Sequence, residues 1–257
     1  MRKSGALTIA AALAALTLPS DAAAQDDERP WSLKTEAGAS LFFGASSQTA
    51  VLFRSEYGYE SDRWETSFSG GFDYAETENG DGVAFVSGRA WTSALEVDYN
   101  AGRWQPFAFV TGNGSLQRQL DARLQGGVGV GYDFIDTETA EFDLSAAALI
   151  ERIDPRVAAG EPDEVETLGR LSMRARGSKK LAEERIDLSF VSFYRPSFDA
   201  FGDDYIISFE GTSAFKLTDD VSLGLSVINI FDSLAESRGA RSNNDGRLLF
   251  SIITTLD

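Results

Sequence analysis

Along most of this 257-residue chain, apolar and polar residues alternate with a period of two. A chain written that way forms strands with two chemically distinct faces and has little choice but an all-β fold. In "RWETSFSGGFDY", Trp64, Thr66, Phe68, Gly70, Phe72 and Tyr74 fall on one face, and Arg63, Glu65, Ser67, Ser69 and Asp73 on the other. "IDLSFVSFYR" sets Ile186, Leu188, Phe190, Ser192 and Tyr194 against Asp187, Ser189 and Arg195. "YIISFEGTSAF" sets Tyr205, Ile207, Phe209, Gly211, Ser213 and Phe215 against Ser208, Glu210 and Thr212. Read this way, the chain holds about twelve strands of roughly ten or more residues, the length that crosses a bilayer at a tilt. They begin near Ser32, Thr49, Arg63, Val83, Trp104, Ala122, Ala140, Val165, Ile186, Tyr205, Val221 and Arg247. The strand near Val83, "VAFVSGRAWTSALEVDY", gives no clean face.

The connections fall into two classes. "ESD", "DYNAGR", "DTET", "GSKKLA" and "TDD" are short; "GASSQ", "ETENGDG", "GNGSLQRQLD", "RIDPRVAAGEPDE", "PSFDAFGDD" and "DSLAESRGARSNNDG" are generally longer, and the two classes alternate. Short turns on one side and long loops on the other predict an antiparallel transmembrane β-barrel of about twelve strands, with periplasmic turns and extracellular loops. Aromatic residues gather at both strand ends. Tyr57, Tyr59, Trp64, Tyr132, Phe134 and Phe215 lie beside the short turns, and Phe43, Tyr74, Tyr194, Tyr205 and Phe231 beside the long loops. Two belts, one per water interface, fit a bilayer better than the single core of a soluble sandwich.

Near the N-terminus, Arg2 and Lys3 precede an apolar run from Leu7 to Leu18, and Ala22–Ala24 offers a small-residue cleavage site. Residues 1–24 therefore read as a secretory signal peptide, with residues 25–257 forming the barrel. Arg2, Lys3 and Asp21 leave with the leader, so 21 bases and 39 acids remain, a net charge of −18. Such a chain repels nucleic acid. No later run of 18 apolar residues supplies a membrane helix.

Cysteine and histidine are both absent. Disulfides, thiolate metal sites, imidazole ligands and histidine-based hydrolysis all go with them. No catalytic residue, cofactor site or metal site is assigned. "ETENGDG" offers Glu76, Glu78, Asn79 and Asp81 without the spacing of a calcium loop, and reads as solvated, as do "FGDDY" and "SNNDG".

The densest motif, "LQGGVGVGYDF", is a strand and no phosphate loop. Tyr132 stands where a third dinucleotide-loop glycine would fall, and no Gly-Lys-Ser/Thr follows. Leu124, Gly126, Val128, Val130, Tyr132 and Phe134 share the lipid face, while Gly127, Gly129 and Gly131 join Arg123, Gln125 and Asp133 inside. Inner glycines permit a bend or make room for bulky neighbours.

The same parity places charges of both signs in the lumen. The lumen-lining candidates are Arg170, Arg174, Arg176, Arg123, Asp133, Glu65, Asp187 and Glu210. Arg170, Arg174 and Arg176 form one inner stripe with no acid between them, which attracts anions unless neighbouring strands neutralise it. Two arrangements fit: the charges pair across a narrow lumen and close it, or they line an aqueous passage.

Three blocks, "GASLFFGASSQTA", "LDARLQGGVGVGYDFIDTETAEFDLSAAALIER" and "LGLSVINIFDSLAESRGARSNNDGRLLFSIITTL", resemble the YdiY-like family of salt-induced outer-membrane proteins, which carries a domain of unknown function. The middle block, with an arginine before a glycine-rich strand, "GY" and a "DT" turn, is the most specific. The first departs from the family, with Ala45 after Gly44 where Asn is usual. The resemblance covers nearly the whole mature chain. It implies a non-enzymatic outer-membrane barrel, a response to salt or osmotic stress, and no catalytic residues. The partners expected are outer-membrane lipid and the barrel-insertion machinery, the latter reading the alternation of Leu248, Phe250, Ile252, Thr254 and Leu256, although Asp257 rather than an aromatic residue comes last. A monomer is expected. The readings carried forward are a narrow channel for ions or small solutes, a closed structural barrel with acidic loops that bind partners or cations, and a soluble periplasmic binding protein.

Overall fold

A computed structural model describes residues 30–42, 47–78, 83–156 and 165–256. The leader, Phe43, Asn79 and Asp81 lie outside the described residues. The twelve strands are β1 (Trp31–Phe42), β2 (Ser47–Glu60), β3 (Trp64–Glu78), β4 (Ala84–Tyr99), β5 (Trp104–Ser115), β6 (Leu120–Thr137), β7 (Ala140–Pro155), β8 (Glu166–Leu181), β9 (Ile186–Pro196), β10 (Tyr205–Lys216), β11 (Val221–Asp232) and β12 (Asn244–Leu256). Each pairs antiparallel with its sequence neighbours, and β1 closes on β12 from Leu33↔Leu256 to Gly38↔Ser251. All twelve expected strands are present, each starting within three residues of its expected position.

Two turn assignments need correction. "GNGSLQRQLD" is not a long loop: β5 and β6 run into it and leave only Leu116–Gln119 as the connection. "GSKKLA" is mostly strand, because β8 continues to Leu181 and the turn lies at residues 182–185. Of the remaining long connections, those at residues 197–204 and 233–243 leave one end of the barrel, here the loop end, where β7 also finishes and β8 begins.

The faces are inverted relative to a water-soluble protein. Phe68 is 55% exposed and Phe250 65%, whereas Arg123 is 2% exposed and Glu151 fully buried. Leaving a band of Phe, Leu, Val and Ile outside forfeits about 25 cal/mol per Å² of apolar surface in water, and only a hydrocarbon surround removes that penalty. Ring contacts mark both borders of the band. Trp64–Tyr99, Trp104–Tyr132 and Tyr132–Phe134, each with centroids 4.9 Å apart, lie at the short-turn end. Tyr194 contacts Phe201 and Tyr205, and Tyr205 stacks on Phe231, at the loop end.

The missing face of β4 has a physical cause. Ala75 pairs with Gly88 but Glu76 pairs with Val86, so Ser87 is an extra residue. A bulge of this kind flips the inside–outside parity. Beyond it, Trp91 and Leu95 face outward while Glu96 faces the lumen.

Glycines at 127 and 129 make room for two rings. A Cβ on Gly129 would lie 2.6 Å from Phe107 Cζ and from the Ala146 carbonyl oxygen, and one on Gly127 would lie 3.0 Å from Phe109 Cε1. At Gly131 the nearest atom is 3.6 Å away. Gly129→Val therefore lowers stability by at least ~1–3 kcal/mol, the usual range for overpacking, while Gly131→Val folds nearly normally. Heat-modifiable gel mobility and urea midpoints of the two variants check this contrast; equal behaviour contradicts it.

Candidate functional site: the lumen

Because inner positions alternate along every strand, charges from non-adjacent strands meet inside the barrel. Three ion pairs cross the lumen. Arg54 on β2 reaches Glu210 on β10 at 2.5 Å, Arg174 on β8 reaches Glu96 on β4 at 2.7 Å, and Arg123 on β6 reaches Asp232 on β11 at 2.8 Å. Each pair joins strands that share no hydrogen-bonded edge. Arg247 on β12 adds a pair to Asp73 on β3, 2.8 Å.

Toward the loop end the pairs merge into a dry network. Glu151 accepts hydrogen bonds from Arg170 Nε and, at 2.7 Å, from Gln125 Nε2; Arg123 Nε lies 3.1 Å from it. Arg170 Nη2 also donates to Asp204 at 2.8 Å, and Asp232 holds both Arg123 and Arg238. Leu120 and Ile153, each 1% exposed, are buried at the same end of the barrel. Burial of that many charges is tolerable because each carboxylate meets guanidinium donors and each guanidinium at least one carboxylate.

Elsewhere the lumen holds a cavity. Its volume is about 920 Å³, and its lining residues run from Asn100 and Asp136 at the short-turn end to Arg118 in the Leu116–Gln119 turn at the loop end. Its described walls carry ten carboxylates and six cations, an excess of four negative charges. The acids concentrate at the short-turn end, where Glu56, Glu60, Glu65, Asp133, Asp136 and Glu141 line the wall.

Of the eight residues expected to line the lumen, Glu65, Asp133, Arg174, Arg176 and Glu210 are on the cavity wall. Arg123 and Arg170 point inward but belong to the dry network. Asp187 is not on the wall, and its Oδ1 is buried without a hydrogen-bond partner. The arginine stripe is divided and neutralised: Arg170 pairs with Glu151 and Asp204, Arg174 with Glu96, and Arg176 with Asp143 at 2.7 Å. Several members of the site were not legible as such. Glu96 was hidden by the bulge at Ser87, Arg118, Asp232 and Arg238 by lying in segments that read as loops, and Glu60, Asp136 and Glu141 by lying beside the short turns.

A closed antiparallel barrel with an apolar exterior and an ion-paired interior is a transmembrane β-barrel of the outer-membrane kind. Solved structures agree on the fold. The NanC porin superposes with a TM-score of 0.52 at 9% identity, covering 87% of this chain and 100% of the porin. The COG4313 outer membrane channel from Pseudomonas putida F1 (TM-score 0.47, 11% identity, 93% of this chain and 100% of that one) and the KdgM porin (0.44, 6%, 88% and 99%) also match. At such identities a likeness speaks for the fold alone, and of the three the NanC porin is similar enough to carry it. No curated protein matches the sequence. The chain belongs to the family described as "Protein of unknown function, DUF481", whose model matches residues 35–255, the YdiY-like family that its sequence resembles.

Proposed function

We propose that this protein is a non-enzymatic barrel of the bacterial outer membrane that passes ions and small solutes through a narrow, cation-preferring lumen. The observation that carries the reading is a cavity lined by residues from both ends of the barrel, with four more carboxylates than cations. The Arg54–Glu210 pair spans the bore, and in this reading water and small ions pass beside it. A net-acid wall raises the local cation concentration and lowers that of anions. The protein is monomeric in this reading, delivered by a cleaved leader over residues 1–24 and inserted by the barrel-assembly machinery. The response to salt implied by the family fits an ion-conducting wall, and protein abundance after a rise in external salt is its measure.

A second reading, a closed structural barrel, draws on the dry network around Glu151. Thiol accessibility separates the two, and the chain's lack of cysteine makes the experiment clean. Single-cysteine variants Ser69→Cys and Thr212→Cys sit on the cavity wall; Phe68→Cys and Phe209→Cys sit on the exterior. In liposomes, an impermeant charged thiol reagent modifies the first two from either side of the membrane and spares the second two, whose thiols stay protonated in hydrocarbon. Inner cysteines that resist the reagent from both sides make the closed barrel correct.

A further inference from the structure

Of the cavity wall's six cations, Lys34 and Arg118 form no ion pair among the described residues, and of these two only Arg118 is buried. Arg118 lies in the Leu116–Gln119 turn, which is folded into the barrel mouth: Ser115 and Leu120 on either side are 2% and 1% exposed, and Arg118 itself 9%. Gln119 takes a left-handed backbone with φ of 52°, a cost of order 1–3 kcal/mol for a residue other than glycine. Ser115 Oγ accepts the Arg118 backbone N–H at 3.3 Å, and Gln119 O accepts that of Arg156 at 3.0 Å, so the turn is held in this shape. The guanidinium donates only one long bond, Nη2 to Asn113 Oδ1 at 3.4 Å, and its Nε is buried without an acceptor. The acids nearest in effect are occupied, Asp232 by Arg123 and Arg238, and Asp245 by Arg247.

Burial, followed by repulsion from Arg123, lowers the Arg118 guanidinium to about 10, so it is a cation at neutral pH. The neighbouring Arg123, Arg170 and Arg238 each have a carboxylate within 3.1 Å. Arg195, which has none among the described residues, donates to Ser172, lies over the Phe193 ring and is not on the cavity wall. A buried charge without a partner is costly, and a solution anion in the adjoining cavity removes that cost. The guanidinium fork, with Nε free, suits the two oxygens of a carboxylate or phosphate.

We infer that Arg118 is a binding site for a small oxyanion, a carboxylate or phosphate, at the loop-end mouth of the lumen. The inference rests on the proposed water-filled cavity but not on ion flow through it, and it is tested without current. The folded protein in detergent is titrated calorimetrically with inorganic phosphate and, separately, with acetate. Wild type takes up one of these at a single saturable site. Arg118→Gln abolishes the uptake, Arg118→Lys weakens it roughly tenfold by replacing the fork with a point charge, and Arg156→Gln, at a half-exposed pair with Asp121, leaves it intact. Acetate and phosphate affinities tell which oxyanion class the site prefers. Absence of saturable uptake of both by wild type overturns the inference whatever the variants do, as does equal uptake by folded Arg118→Gln. Uptake in a protein that carries no current keeps this site and removes the passage; current without uptake does the reverse.

Discussion

Glu151→Gln lowers the stability of the folded barrel by about 3–5 kcal/mol, the range seen when one member of a buried ion pair is removed. The carboxylate is fully buried and serves both Arg123 and Arg170. Glutamine is nearly isosteric, so the loss reports charge and not volume. Arg123 keeps Asp232 and Arg170 keeps Asp204, which holds the effect within this range. The exposed pair Asp121–Arg156 provides the comparison: Asp121→Asn costs about 0–1 kcal/mol, as solvated pairs do. Urea unfolding in lipid vesicles measures both. If the two variants have equal midpoints, the network does not organise the loop end.

Neutralising the short-turn mouth has the largest expected effect on transport. Glu60→Gln, Glu65→Gln and Glu141→Gln together remove three of the four excess negative charges. None of the three forms an ion pair among the described residues, so the change leaves the cross-lumen pairs in place. Under a tenfold KCl gradient, a purely cation-selective passage gives about 59 mV. Wild type lies well toward that limit, and the triple variant falls close to zero. The difference shrinks as total salt rises, because charges on a water-filled wall are screened within about 10 Å at 0.1 M. An unchanged reversal potential removes the acidic mouth as the source of selectivity.

The barrel was legible in the sequence because a period of two carries its own test: one slip exposes a polar row to lipid. Leu124, Val128 and Phe134 lie outside and Arg123 and Gln125 inside, as alternation requires. Legibility ended where one residue breaks the period. Ser87 does so in β4, and with it Glu96 was lost from the lumen. The turn at residues 182–185 escaped for another reason: Ala182, Glu183 and Glu184 all have positive φ without a glycine to announce it. Pairing was harder than facing. Arg170, Arg174 and Arg176 form a stripe with no acid of their own strand between them, but Glu151, Glu96 and Asp143, from β7 and β4, neutralise it. Curvature of the closed sheet decides such meetings, and periodicity within one strand does not encode it.

The most direct test of a continuous, cation-preferring lumen is single-channel recording of refolded residues 25–257 in a planar bilayer, with a KCl gradient across it. The account predicts discrete, small current steps whose reversal potential has the cation-selective sign. A silent bilayer despite verified insertion, or steps that favour chloride, contradicts it.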